Sequence, residues 1–81
     1  MATLVPTFAL SQHIGERIEL DVSTVGELID EAKSRWGTSF VDALKTSALL
    51  VNGRSINYLD GRNTALKPDD VVWMVRPASG G

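Results

Sequence analysis

The sequence predicts a small α+β domain in which one main helix packs across one face of a mixed β-sheet. Three observations carry this. Residues 17–22 alternate apolar and polar with a period of two. Residues 25–36 place apolar side chains at helical spacing. A strongly apolar run, Val71-Val72-Trp73-Met74-Val75, stands near the end of the chain.

The elements follow in order. Thr3 to Leu10 reads as a strand, with Pro6 demanding a free edge or a bulge because it cannot donate to a ladder. Ser11 to Glu16 is a loop turning at Gly15. Arg17 to Val22 is a half-buried strand: Ile18, Leu20 and Val22 share one face and Arg17, Glu19 and Asp21 the other. The two strands are expected to form a hairpin. Thr24 is a good N-cap for the helix that follows, and Glu27 three residues on completes a capping box. Val25, Leu28, Ile29, Ala32 and Trp36 make its apolar face. Its acids come early and its bases late, matching the macrodipole, and Gly37 ends it.

Thr38 to Lys45 holds a short second helix with Phe40, Val41 and Leu44 inward. Ala48 to Val51 is a strand, Asn52-Gly53 a two-residue hairpin turn, and Arg54 to Ile56 the return. Tyr58 to Asn63 is irregular, turning at Asp60-Gly61, and Lys67-Pro68-Asp69-Asp70 forms another turn before the last strand. The first hairpin and the last strand are expected at the sheet centre. The domain is read as residues 1–75, and residues 76–81 as a tail.

Composition narrows the function. A chain of 81 residues is one domain with one modest core. The net charge of −2 and the absence of a basic stripe argue against nucleic acid. No apolar run approaches the roughly 20 residues that span a bilayer, so no membrane role is expected. Without cysteine there is no disulfide and no thiolate nucleophile, and Met1 to Leu10 lacks the pattern of a secretory signal, which fits a cytoplasmic protein. His13 has no second histidine or clustered carboxylates near it in sequence, so no metal is expected. No constellation of acid, base and nucleophile suggests an autonomous enzyme.

The tail is the unusual feature. Arg76-Pro77-Ala78-Ser79-Gly80-Gly81 has no large apolar side chain to tie it down, and such termini are mobile. Fully extended, it reaches roughly 20 Å. Gly80 and Gly81 leave its end slim enough for a narrow channel. Diglycine alone is weak evidence, because glycine makes up about 7% of average composition. A terminal carboxyl, ionised at pH 7, must be activated before a nucleophile can attack it. This chain has no phosphate-binding loop with which to do so, and a partner is required.

Trp73 and Val75 share one face of the last strand, Val72 and Met74 the other. With Val72 and Met74 toward the helix, Trp73 and Val75 form an exposed apolar patch for a partner. The opposite register places Trp73 in the core. Arg76 either pairs with acids on a partner or solvates the strand end.

The motifs Val51-Asn52-Gly53-Arg54, Tyr58-Leu59-Asp60-Gly61 and Thr64-Ala65-Leu66-Lys67-Pro68-Asp69-Asp70-Val71-Val72, with the ending Arg76 to Gly81, resemble the MoaD/ThiS sulfur carriers. Val5-Pro6-Thr7 and the helix start Thr24-Val25-Gly26-Glu27-Leu28 are also similar. The resemblance spans essentially the whole chain and implies a β-grasp, ubiquitin-like fold. It further implies that an adenylyltransferase resembling ubiquitin-activating enzymes adenylates the Gly81 carboxylate with Mg-ATP. A sulfur donor then converts it to a thiocarboxylate, and an acceptor enzyme takes the sulfur. The chain itself binds no cofactor and serves as sulfur-donating subunit or co-substrate. Gly80 clears the approach, and Trp73, Val75, Arg76, Pro77, Ala78 and Ser79 face partners. The length fits the molybdopterin synthase small subunit better than the shorter thiamine carrier, with molybdopterin synthase large subunit or its equivalent as acceptor. The second-half motifs also resemble the carriers that serve cysteine biosynthesis in some bacteria. Carriers for cysteine, thiamine or specialised metabolites, a protein modifier joined to lysine, and a non-covalent adaptor are the alternatives. Many family members have two prolines, or an aliphatic residue and proline, where this chain has Arg76-Pro77, which leaves the choice of partner open.

Overall fold

The computed structural model of the chain describes residues 1–76. Five strands form one mixed sheet: β1 (Ala2–Val5), β2 (Ile18–Leu20), β3 (Ala48–Val51), β4 (Arg54–Ser55) and β5 (Val71–Val75), in the spatial order β2-β1-β5-β3-β4. β5 runs parallel to β1 and antiparallel to β3. Three helices, α1 (Phe8–Ile14), α2 (Val25–Trp36) and α3 (Thr38–Lys45), supply the second layer. The predicted α+β, β-grasp architecture is therefore what the chain adopts. The last strand holds the centre as expected, with β1 on one side and β3 on the other, whereas β2 lies at an edge.

The main correction concerns residues 3–10. The strand stops at Val5, and Phe8–Ile14 is a helix. Thr7 caps it: its Oγ1 accepts from the Leu10 N–H at 3.3 Å, and its carbonyl accepts from the Ser11 N–H at 2.8 Å. Leu10 and Ile14, four residues apart, lie on one helical face, with Leu10 in the core and Ile14 packed against it. The helix thus replaces the end of the expected strand and most of the expected loop at Ser11 to Glu16; the cap and this spacing are the signal for it. β1 and β2 still pair antiparallel, Leu4 opposite Ile18 and Ala2 opposite Leu20, but a helix joins them in place of a tight turn.

α2 starts as its sequence dictates. Thr24 Oγ1 accepts from the Glu27 N–H at 3.1 Å, and Glu27 Oε1 reaches back to the Ser23 N–H at 2.8 Å, one residue beyond the cap. Val25, Leu28, Ile29 and Ala32 are buried, and Trp36 is half-buried against Phe40. Gly26 lets the Gly61–Asn63 turn seat on the helix, since a Cβ there would lie 3.1 Å from the Arg62 carbonyl oxygen. In α3, Phe40 is fully buried, while Val41 and Leu44 are only half-buried.

Asn52 (φ +52°) and Gly53 (φ +91°) make the predicted hairpin turn. β4 is one residue shorter than expected, because Ile56–Tyr58 coils into a 3₁₀ turn. The expected Lys67–Asp70 turn is closed by the Asp70 N–H donating to the Lys67 carbonyl at 3.0 Å. Asp70 also accepts from the Lys67 N–H (2.8 Å) and from Asn52 Nδ2 (2.8 Å), while Asn52 Oδ1 accepts from the Val71 N–H (3.0 Å). Those bonds, the Lys67 N–H first and Asn52 second, hold the Asp70 carboxyl below its ordinary pKa. The network pins the start of β5, and with it the residues at the far end of that strand.

Candidate functional site

The site is built around the end of β5. Being central, this strand is fixed by ladders on both sides, so the directions of its side chains are well determined. Val72 and Met74 point into the core, 0% and 3% exposed. Trp73 points the other way and is 40% exposed. The register sets it between Val5 of β1 and Leu50 of β3, and sets Val75 beside Ala48. The open face of the sheet thus presents a contiguous apolar surface of Val5, Ala48, Leu50, Trp73 and Val75, of which Trp73 is the most accessible. Val5, Ala48 and Leu50 were not among the residues singled out in the sequence. Only strand pairing brings them together, because Val5, Ala48 and Leu50, and the last strand, are far apart along the chain.

Arg76, the last described residue, lies elsewhere. It lines a cleft of about 270 Å³ between α1 and α3, together with Thr7, Leu10 and His13 on one wall and Ser39, Ala43 and Ser47 on the other. The structure therefore does not bring Arg76 together with Trp73 and Val75. The strand's alternation sends Arg76 to the helical side of the sheet and the other two to the open side. Pro77, Ala78, Ser79, Gly80 and Gly81, which the sequence reading placed in the working tail, lie outside the described residues.

His13 stands on the wall of this cleft. Among the described residues no group of three or more His, Asp or Glu side chains is placed to hold a metal ion. Asp69-Asp70 forms a turn, as its sequence suggests. Among the described residues no helix is long and apolar enough to cross a membrane. A second cleft, of about 350 Å³, lies between the end of β2 and α2 and is walled by Asp21, Glu27, Asp30 and Glu31.

Comparison with known proteins bears on what such a surface belongs to. No curated protein matches the chain at a significant level. Among solved structures, the chain is similar to one in the Amycolatopsis orientalis BexX/CysO complex (TM-score 0.81, 23% identity, 100% of both chains covered). It is also similar to Mycobacterium tuberculosis CysO, an antigen (TM-score 0.82, 16% identity, 96% of this chain and 100% of the other). The Haloferax volcanii HVO 2177 protein has the same general form (TM-score 0.66, 26% identity, 99% and 87% covered). At these identities the likeness establishes the fold. The family model of the ThiS family matches residues 8–81, nearly the whole chain including the segment beyond Arg76. The chain belongs to the ThiS family, among the MoaD/ThiS-like ubiquitin-like sulfur carriers.

Proposed function

We propose that the chain delivers sulfur through the carboxylate of Gly81. The observation that supports this most is the family match running through the diglycine at residues 80–81. The open face of Val5, Leu50 and Trp73 supports it further, because a carrier needs a docking surface beside its reacting end. An oxygen of the Gly81 carboxylate attacks the α-phosphorus of Mg-ATP on a partner adenylyltransferase, releasing pyrophosphate and forming the acyl-adenylate. Hydrosulfide from a sulfur donor then attacks the acyl carbon, the bond to AMP breaks and AMP leaves, and a thiocarboxylate remains. The acceptor enzyme takes the sulfur, and water restores the carboxylate. This chain contributes the acyl group and the docking surface. The partner supplies the nucleotide site, and Trp73 and Val75 seat against it, with Pro77, Ala78 and Ser79 as the spacer to Gly80 and Gly81.

Two acceptors have specific support. The chain's length favours the large subunit of molybdopterin synthase, making this chain the small subunit. Its likeness to the two CysO structures favours a carrier for cysteine or specialised-metabolite biosynthesis. The work of such a carrier is cytoplasmic.

The test is the intact mass of the protein after incubation with the activating enzyme, Mg-ATP and sulfide, beside a variant lacking Gly81. A gain matching exchange of one oxygen for sulfur, seen only with the full tail, supports the carrier. Ladders of tagged protein in cell extract, abolished by removing Gly81, identify a protein modifier. Unchanged function without Gly81 leaves only a non-covalent adaptor.

A further inference from the structure

Arg76 and Trp73 leave one strand on opposite sides, Trp73 to the open face and Arg76 to the cleft between α1 and α3. Among the described residues, the ionisable side chains on the walls of the α1–α3 cleft are His13 and Arg76, and no carboxylate lines it. This contrasts with the chain's net charge of −2 and with the four acids around the second cleft. Neither His13 nor Arg76 takes part in an ion pair among the described residues. Phe8, 82% exposed, stands in the first turn of α1 between Thr7 and Ala9, both on the cleft wall. Its ring is apolar area beside the cleft that an occupant of the cleft would cover. From Arg76 to Gly81 the chain extends at most about 17 Å, so an enzyme holding Gly81 in its active site lies within that reach of the cleft.

We propose that the α1–α3 cleft is a second docking site for the enzyme that adenylates Gly81, and that its occupant is an acidic segment of that enzyme. A carboxylate enters between α1 and α3 and pairs with Arg76, and the flanking residues of the segment cover Phe8. The proposal rests on the carrier reading above and adds to it the chemistry of the partner. The guanidinium offers a planar pair of donors that a carboxylate can accept side by side, which fixes direction as well as attraction. The root of the tail is then held on both sides of the sheet, by apolar contact at Trp73 and by an ion pair at Arg76. Replacement of the first tail residue by arginine thereby becomes a device for selecting a partner.

The experiment is ATP–pyrophosphate exchange by the adenylyltransferase encoded in the same genome, with carrier concentration varied. Carriers are the wild type, Arg76→Glu, Arg76→Lys, Phe8→Ser and Arg54→Glu. Arg54 adjoins the hairpin turn at the opposite end of the sheet and serves as a control for net charge. Arg76→Glu is expected to raise the KM for carrier about tenfold at low salt with kcat unchanged. Arg76→Lys and Phe8→Ser should fall between it and the wild type, and Arg54→Glu should match the wild type. At about 1 M salt the difference between wild type and Arg76→Glu should shrink sharply. Thermal melts of all five proteins show whether each is folded. A folded Arg76→Glu with KM within about twofold of wild type overturns the proposal. So does a loss confined to kcat, or an equal loss in Arg54→Glu. A wild type that supports no exchange and gains no sulfur removes the carrier reading, and this proposal with it.

Discussion

Val72 and Trp73 are adjacent on the central strand, yet their surroundings have little in common. Val72 is fully buried among Leu4, Leu20 and the apolar stripe of α2, while Trp73 keeps 40% of its surface in water beside Val5 and Leu50. Both faces of β5 are apolar, so composition does not separate them. The three helices bury their apolar residues against one face only, where Leu10, Leu28 and Phe40 fill the core. Among the described residues, no equivalent layer covers the apolar side chains of the other face. A fold that needed only stability would place polar groups there, as half-covered antiparallel sheets commonly do. The difference teaches that β5 is the mechanical centre of the domain and also the floor of the open apolar face, which the proposed function takes as its docking surface.

Mutations on the two faces should therefore diverge. Leu4→Ala removes the covered-side neighbour of Val72 and should cost about 2–5 kcal/mol, a large share of the stability of a small domain. Chemical denaturation measures this directly. Trp73→Ala should cost only about 1 kcal/mol in the same assay, while weakening binding to the activating enzyme by about tenfold or more in calorimetric titration. Equal losses of stability in the two variants would break the comparison and make the open face structural.

Smaller changes sharpen it from outside the strand. Thr24→Ala removes the cap of α2 and should cost about 1 kcal/mol while leaving affinity for the partner unchanged, because it acts on the covered layer alone. Asp70 has the smallest effect. Its folded pKa is depressed by the Lys67 N–H and by Asn52, so its contribution is fully present above the unfolded value of about 3.9 and fades as pH falls through the folded value. Melting temperatures below about pH 4 should fall less steeply in Asp70→Asn than in the wild type. Parallel curves would mean that the turn network at the start of β5 adds nothing measurable.

Much of this was legible in the chain because the signals are local. The cap of α2 needs only Thr24 and Glu27, and the hairpin turn needs only Asn52 and Gly53. The alternation of β5 needs only its own five residues, and it correctly paired Val72 with Met74 on one face and Trp73 with Val75 on the other. Residues 8–10 were read as the end of a strand and residues 11–14 as a loop, because a short apolar run cannot distinguish periods of 2 and 3.6. Thr7 resolved that ambiguity in favour of a helix by capping it, after Pro6 had interrupted the strand.

The sequence by itself determined the fold class, the main helix, the central strand and the family, since each depends on spacing along the chain or on motifs within it. Only the tertiary structure decided which face of β5 is covered, which residues of β1 and β3 flank Trp73, and that Arg76 opens onto a cleft between α1 and α3. Those facts depend on residues far apart in sequence meeting through strand pairing and helix packing, and no periodicity records which distant segment will lie against which side of a strand.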